Sequence, residues 1–341
     1  MNSRHNSART GLHLLIVLAA VAAVAVLAPA AGAAGAYARW SLDSSGGAGR
    51  ETGTVSFGVL GAPRATFTSS VTGSEAAPEL LELTADDVIA ATSAWGRVLG
   101  ASTGRQYLWT KHLANAATLT RTTTYTFATP MLPGAFYVAL GDIDYDEVDV
   151  TAKDPSGVAL TGRQIRGGVT RASFNFTYPA ESLGAVVVLR AGGVSLSAPT
   201  SPVDDGIAAW LRPSRAVATL TTVSHRADDW PEQSTVRTWM AVMAHAVRGR
   251  VTVATQARRG VAGAVVRLRS ADGRLLGRTR TAADGSFAFP RVYAADGYRL
   301  RVAAPTGYEL VGDGLAIVDL ADGEAFVHMA VVPGATPSVT G

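Results

Sequence analysis

Short runs in which β-branched or aromatic residues alternate with polar ones recur along most of this 341-residue chain. Glycine, aspartate and proline interrupt the runs, as they do in the turns between β-strands. Because no helical repeats separate the runs, the pattern predicts an all-β fold of antiparallel sandwiches rather than a parallel α/β sheet. The strands predicted before residue 190 cover residues 54–59, 122–127, 135–140, 148–152, 172–178 and 185–189.

One segment carries a helical signal. Residues 84–87, Thr-Ala-Asp-Asp, fit a capping box ahead of the apolar residues 88–91. A surface helical turn or the edge of a strand would suit these residues equally well.

The N-terminus has a different pattern. Arg4 and Arg9 precede an apolar run over residues 14–28, which ends at Pro29, and residues 31–33 supply the small side chains that signal peptidase recognises. We therefore expect residues 1–33 to be a cleaved signal peptide and the mature protein to be secreted or associated with the cell surface. The alternative is an uncleaved membrane anchor, for which a run of 15 residues is short, since a spanning helix needs about 20.

Charge and cysteine content narrow the functional classes. The formal charge is +3, and loss of Arg4 and Arg9 with the signal leaves +1. This balance predicts neither nucleic acid nor an anionic membrane surface as a partner. With no cysteine, the chain has no thiol nucleophile and no cysteine-ligated metal, and it depends on its apolar core for stability.

The pattern becomes more regular near residue 247. Predicted strands at 249–253, 263–269, 286–290, 297–302 and 326–332 are separated by Asp272-Gly273, Asp284-Gly285 and the loop at 305–308. Asp-Gly pairs provide the positive φ angles of tight hairpins. We therefore predict two sandwiches, at 37–246 (jelly-roll-like) and 247–333, with a disordered tail at 334–341.

The order of these C-terminal signals, with Asp-Gly-Ser-Phe at 284–287, Gly-Tyr-Arg-Leu-Arg-Val at 297–302 and Pro-Thr-Gly-Tyr at 305–308, resembles collagen-adhesin B-type and carboxypeptidase-regulatory-like modules. The resemblance covers about residues 247–333. It implies a transthyretin-like, prealbumin-type sandwich that serves as a stalk, spacer or accessory domain without catalysis. Some relatives of this fold bind carbohydrate.

The sequence departs from the family in one respect. The family's intramolecular isopeptide bond joins a lysine amine to an asparagine or aspartate, and residues 247–333 contain neither lysine nor asparagine. We expect this module to be held by packing alone. Residues 37–246 resemble the sandwich that precedes such modules in secreted actinobacterial proteins, through the segments at 125–130, 140–144 and 205–213.

An acidic segment between two predicted strands is the candidate metal site. Asp142, Asp144 and Asp146 place carboxylates at alternate positions, where their oxygens could converge on calcium. The segment is not an EF-hand, because Glu147 and Lys153 stand where that motif needs glycine and glutamate. The alternative interpretation is a solvated loop without metal.

Two further patterns resemble functional sites. Residues 100–104, Gly-Ala-Ser-Thr-Gly, match the nucleophile elbow of hydrolases, but no parallel α/β sheet accompanies them, which favours a glycine loop. Aromatic residues could form a sugar-stacking platform, although such side chains more often fill a core. They are Trp95, Tyr107, Trp109, Trp210, Trp230 and Trp239.

These observations favour a secreted, non-enzymatic protein that binds or supports structures at the cell surface, in the manner of an adhesin. The expected partner is an extracellular ligand, either carbohydrate or a cell-surface polymer. The alternatives are a carbohydrate-binding accessory protein and a secreted hydrolase with an accessory C-terminal module. We predict no catalytic residue and no cofactor other than calcium.

Overall fold

The computed structural model describes residues 35–43, 50–72, 79–82, 89, 91, 94–112, 120–143, 146–166, 186–197, 207–226 and 234–334. The predicted signal peptide at 1–33, the predicted strand at 172–178 and the tail from 335 onward lie outside these residues. The described residues belong to one compact unit, Gly32–Gly341. No helix among them is long and apolar enough to cross a membrane.

The fold is all-β, as the alternating pattern predicts. The strands before Met243 are β1 (Ala36–Tyr37), β2 (Arg39–Asp43), β3 (Arg50–Ser56), β4 (Ala65–Thr72), β5 (Glu79–Glu82), β6 (Gln106–His112), β7 (Thr120–Met131), β8 (Phe136–Ile143), β9 (Asp146–Lys153), β10 (Val186–Arg190), β11 (Gly193–Ser197), β12 (Ile207–Leu211), β13 (Val217–Arg226) and β14 (Ser234–Val242). The strands after it are β15 (Ala244–Val253), β16 (Gln256–Gly260), β17 (Val265–Arg269), β18 (Leu275–Arg280), β19 (Ser286–Tyr293), β20 (Tyr298–Ala303), β21 (Tyr308–Leu310), β22 (Leu315–Val318) and β23 (Ala325–Pro333).

The strands before Met243 form two facing sheets. The first has the order β12-β8-β14-β6-β5, with β1 added to β14, and the second has the order β10-β11-β9-β13-β7-β4-β3-β2. Alternation along β7 explains the packing, because Tyr125 and Phe127 are buried between the sheets while Thr126 is exposed. Burial of one face of each strand on the other sheet is what holds a sandwich together.

The strands after Met243 form a second, smaller sandwich. One sheet has the order β16-β15-β23-β21 with β19 on β15, and the other has the order β18-β17-β20-β22. Leu268 and Leu300 are fully buried between them, and the Asp-Gly turns have the positive φ predicted for them, +89° at Gly273 and +82° at Gly285. The predicted domain boundary at 246 and 247 falls inside β15 and stays a prediction.

Two short helices accompany the strands of the first sandwich. Helix α1 (Ala94–Leu99) packs against the outer face of the first sheet, and helix α2 (Gly162–Arg166) follows β9. In the segment for which a helical turn was considered, Ile89 lies in a bend and Ala91 in a turn. Residues 84–88 and 90 of that segment lie outside the described residues, so the capping signal stays a prediction.

Candidate functional site

The acidic segment proposed as a calcium site joins β8 to β9. Asp142 lies in β8 and Asp146 in β9, whereas Asp144 and the side chains of all three aspartates lie outside the described part of the structure. Where side chains are described, no group of three or more histidine, aspartate or glutamate residues could hold a metal ion. Calcium binding at this segment stays a prediction.

The next residue of the segment, Glu147, organises a polar cluster on the outer face of the eight-stranded sheet. Ser195 Oγ donates a hydrogen bond to Glu147 Oε1 at 2.5 Å, and Arg190 Nη2 donates to the same oxygen at 2.8 Å. His225 Nε2 lies 3.1 Å from the second oxygen, Glu147 Oε2. Four strands supply this cluster, because β10, β11, β9 and β13 are neighbours in the sheet.

Strand register explains why these residues meet. His225 is directly opposite Glu147 in the β13–β9 ladder. Ser195 is directly opposite Asp149, two residues from Glu147, in the β11–β9 ladder. Opposed and diagonal residues of adjacent strands share one face of a sheet and lie within reach of each other, so Glu147 contacts both neighbours.

The cluster contains serine, histidine and glutamate, but these residues are not arranged as a catalytic triad. In a catalytic triad the serine hydroxyl donates to histidine, which in turn is held by the carboxylate. Here Ser195 donates directly to Glu147, and His225 binds the other oxygen of the same carboxylate. The Ser195 hydroxyl therefore donates to the carboxylate and not to the imidazole, which is not the order of a catalytic triad.

Electrostatics favour the charged form of Glu147. The hydrogen bond from Ser195, followed by the contacts with His225 and Arg190, holds the pKa of Glu147 below its ordinary value despite some desolvation. Hydrogen bonds to a carboxylate lower its pKa because they stabilise the ionised form. Glu147 is thus an anion held in place by Ser195, Arg190 and His225.

A shallow cleft of about 220 Å³ lies next to the cluster. Asp149, Thr151, Arg190 and Gly193 contribute to its lining. Asp149 Oδ1 is buried without a hydrogen-bond partner and lies 4.0 Å from Arg190 Nη2. The cleft is smaller than the 300 Å³ or so of typical small-molecule sites, and it presents charged groups that already face each other.

The nucleophile-elbow pattern forms a structural turn. Ser102 is fully buried; its Oγ accepts a hydrogen bond from the Ile89 N–H at 2.9 Å, and its own N–H donates to the Ile89 carbonyl at 3.0 Å. Gly100 and Gly104 have φ angles of +85° and +67°, which glycine adopts readily. Ser102 thus fastens a loop and is not presented to a substrate.

The tryptophans considered as a sugar platform lie mostly in a second apolar layer, between α1 and the first sheet. Trp95, Tyr107 and Trp239 are buried in this layer, Trp109 and Trp210 pack against it, and Trp230 lies outside the described residues. The Trp95 and Trp210 rings meet edge to face at 5.4 Å. Their faces are therefore used largely in internal packing.

One nearly continuous strand connects the two sandwiches. β14 ends at Val242, Met243 follows, and β15 begins at Ala244. The Met243 N–H donates to the Ala135 carbonyl at 2.9 Å, and the Met243 carbonyl accepts a hydrogen bond from the Ala294 N–H at 3.0 Å. The chain passes from one sandwich into the other without a loop.

Tyr293, at the end of β19, strengthens this connection. Its ring is buried in the core of the first sandwich, where its hydroxyl accepts a hydrogen bond from the Leu132 N–H at 2.9 Å and lies 3.8 Å from Met131 Sδ. Leu60 bonds the same strand in return, donating to the Arg291 carbonyl at 3.2 Å and accepting from the Tyr293 N–H at 2.9 Å. Burial raises the pKa of Tyr293. The two sandwiches therefore share packed side chains and backbone hydrogen bonds, and this contact is called the joint below.

Sequence reasoning missed these long-range contacts. Ser195 and His225 carry no local motif, and their proximity to Glu147 depends on strand register. In the sequence, nothing distinguishes Tyr293 from any other aromatic residue of a strand. By contrast, three Arg-x-Arg triplets at 267–269, 278–280 and 299–301 could have been recognised, since alternate residues of a strand share a face.

The sequence matches no protein-family model and no curated relative. Among solved structures, domains D2 and D3 of the major pilin SpaD from Corynebacterium diphtheriae align at 12% identity over 66% of this chain and 98% of that one, with a TM-score of 0.26. Full-length SpaD aligns at 13% identity over 79% of each chain, with a TM-score of 0.28. BcpA, the major pilin subunit of Bacillus cereus, aligns at 8% identity over 78% and 72%, with a TM-score of 0.24. These TM-scores are too low to carry an argument about function.

Proposed function

We propose that this chain is an extracellular, non-catalytic structural protein in which two sandwiches transmit mechanical load as one unit. The observation that carries the proposal is the strand pathway through the molecule. β14 continues through Met243 into β15, and β15 pairs in parallel with the last strand, β23, over seven residue pairs from Val247–Ala325 to Val253–Val331.

This pathway has a mechanical consequence. Tension that enters β15 from the first sandwich and leaves through the C-terminal end of β23 pulls two parallel strands past each other. All hydrogen bonds of the ladder then resist together, because no end of the ladder can open first. An extracellular location is supported by the predicted signal peptide at residues 1–33.

The proposal that the protein is not an enzyme is supported by the two serines with hydrolase-like surroundings. Ser102 is buried and bonded to Ile89. Ser195 donates to Glu147 instead of His225. Neither hydroxyl donates a described hydrogen bond to a histidine, as the serine of a catalytic triad does.

Tyr293→Phe tests whether the two sandwiches are coupled. All six tryptophans precede Met243, so tryptophan fluorescence follows only the first sandwich, whereas Tyr293 belongs to a strand of the second. Removal of the hydroxyl leaves the part-buried Leu132 N–H without an acceptor, which costs about 1 kcal/mol. We expect the tryptophan-monitored melting temperature to fall by several degrees.

Tyr308→Phe is the matched control, because Tyr308 is only half-buried and its hydroxyl makes no described hydrogen bond. It should leave the tryptophan transition unchanged. Coupling would be refuted if Tyr293→Phe also left it unchanged, or if wild-type calorimetry resolved two independent transitions.

A further inference from the structure

The outer face of the sheet β18-β17-β20-β22 carries six arginines. They come from the three Arg-x-Arg triplets, in which the central residue points toward the core; Leu268 and Leu300, for example, are fully buried. The flanking residues occupy the opposite face of the sheet. The members of this arginine face are Arg267, Arg269, Arg278, Arg280, Arg299 and Arg301.

Strand register places arginine opposite arginine. Arg267 is directly opposite Arg278 on one side and Arg301 on the other. Arg269 is directly opposite Arg299. Neighbouring strands are about 4.8 Å apart, and alternate residues of a strand are about 6.6 Å apart. Like charges directly opposite each other destabilise a sheet, so the folded protein keeps this arrangement at a cost.

The acidic residues of this sandwich do not offset the arginines. From residue 244 to 334 the chain has 12 arginines and 8 acidic residues, and none of the six takes part in an ion pair among the described residues. Nearby aspartates instead accept hydrogen bonds from a hydroxyl or from backbone N–H groups of turns. Asp272 bonds the Ser270 hydroxyl, Asp313 accepts from the Leu315 N–H at 3.0 Å, and Asp319 accepts from the Gly297 N–H at 2.7 Å.

The chemistry of the face indicates the class of partner. Guanidinium groups bind phosphate and carboxylate through paired hydrogen bonds. The remaining described residues on this face are aliphatic, among them Val265, Leu315 and Ile317, so it offers no aromatic ring on which a base or a neutral sugar could stack. Because the arginines cover three adjacent strands, they suit a ligand whose negative charges repeat along an extended chain.

We propose that the arginine face binds a flexible linear polyanion other than nucleic acid, a polymer without bases that carries phosphate or carboxylate groups along its length. This deepens the proposed structural role, because it names the class of extracellular polymer to which the sandwich is attached. Although the net charge of the mature chain is only +1, arginines concentrated on one face create a local field that net charge does not reveal.

The test measures binding of the mature chain to immobilised long-chain inorganic polyphosphate over a series of NaCl concentrations. Binding weakens as salt rises, and each arginine that neutralises a charge on a flexible polyanion adds about 0.7 to the magnitude of the slope of log K against log salt. Arg299→Gln with Arg301→Gln removes two exposed arginines from the face and should lower that slope by about 1.4. Arg258→Gln with Arg259→Gln removes two exposed arginines of β16, in the other sheet, and should leave the slope unchanged.

Each other result contradicts the proposal. If the two double variants lost the same amount of affinity, binding would follow net charge and not the arginine face. If the wild type did not bind polyphosphate, the arginine face would not be a binding site. Tighter binding of a DNA duplex at the same salt would assign the face to nucleic acid. Tighter binding to phosphatidylglycerol vesicles, reduced by Leu315→Ser and Ile317→Ser, would assign it to a membrane. All variants are compared at an unchanged far-UV circular dichroism transition, which includes the second sandwich, and at an unchanged tryptophan transition, so that failure here is distinguishable from failure of the joint.

Discussion

At the scale of single residues, Gly249 marks the closest packing inside the C-terminal sandwich. It lies in β15, opposite Phe287 of β19 and Val327 of β23. A Cβ at this position would come within 2.3 Å of both Phe287 Cζ and the Val327 carbonyl oxygen. The absence of a side chain therefore lets the aromatic ring cover the strand and lets β23 approach it.

Gly249→Ala should lower the stability of the C-terminal sandwich by about 1–3 kcal/mol, since added volume in a packed core forces its neighbours apart. Chemical denaturation followed by far-UV circular dichroism measures the change. Gly192→Ala is the control, because Gly192 is exposed and a Cβ there would meet no atom within 4 Å. Equal stability of Gly249→Ala and the wild type would contradict the close approach.

Glu147 gives the protein a specific response to acid. Because its folded pKa lies below its ordinary value, the carboxylate stabilises the fold fully above pH of about 4.3. This contribution is lost as pH falls through the lower, folded pKa. Glu147→Gln should therefore flatten the decline of melting temperature on the acid side. Glu309→Gln, at an exposed position of β21, is the control and should keep the wild-type decline of melting temperature with acid. If Glu147→Gln also kept that decline, the cluster around Glu147 would not form as described.

At the scale of elements, the segments that alternation predicts as strands overlap ten of the 23 strands that the structure describes. The segments predicted at 122–127 and 249–253, for example, lie within β7 and β15. Strand order and register are not encoded locally, because they depend on which apolar faces pack together. For this reason the sequence does not show that Glu147 meets Ser195 and His225, whereas the Arg-x-Arg triplets place the arginines on one face without any knowledge of register.

The segment between β8 and β9 is where calcium is predicted to bind. If Asp142, Asp144 and Asp146 share a cation, calcium should raise the melting temperature by several degrees at 100 times its Kd, equivalent to about 2.7 kcal/mol. Asp144→Ala should abolish the response, and Asp322→Ala, an exposed aspartate of the second sandwich, should retain it. If the wild type had identical melting curves in calcium and in chelator, the segment would not bind calcium and would be a solvated loop.

At the scale of the whole molecule, the proposed structural role depends on how force passes between the sandwiches. Composition excludes a lysine-to-asparagine isopeptide bond within the C-terminal sandwich, since residues 247–333 contain neither residue. Its mechanical strength must then come from strand pairing and packing. The parallel ladder of β15 and β23 and the insertion of Tyr293 into the preceding core supply a path for load that local sequence patterns do not reveal, because both join residues far apart in the chain.

Single-molecule pulling in two directions tests this load path most directly. The chain has no cysteine, so engineered pairs provide unique attachment points. Arg248→Cys with Pro333→Cys places handles toward opposite ends of the β15–β23 ladder and shears it, whereas Ala254→Cys with Pro333→Cys places both at the same end and peels it. We predict that the sheared pair unfolds at a severalfold higher force than the peeled pair. Equal forces in the two directions would contradict a load-transmitting role for this ladder.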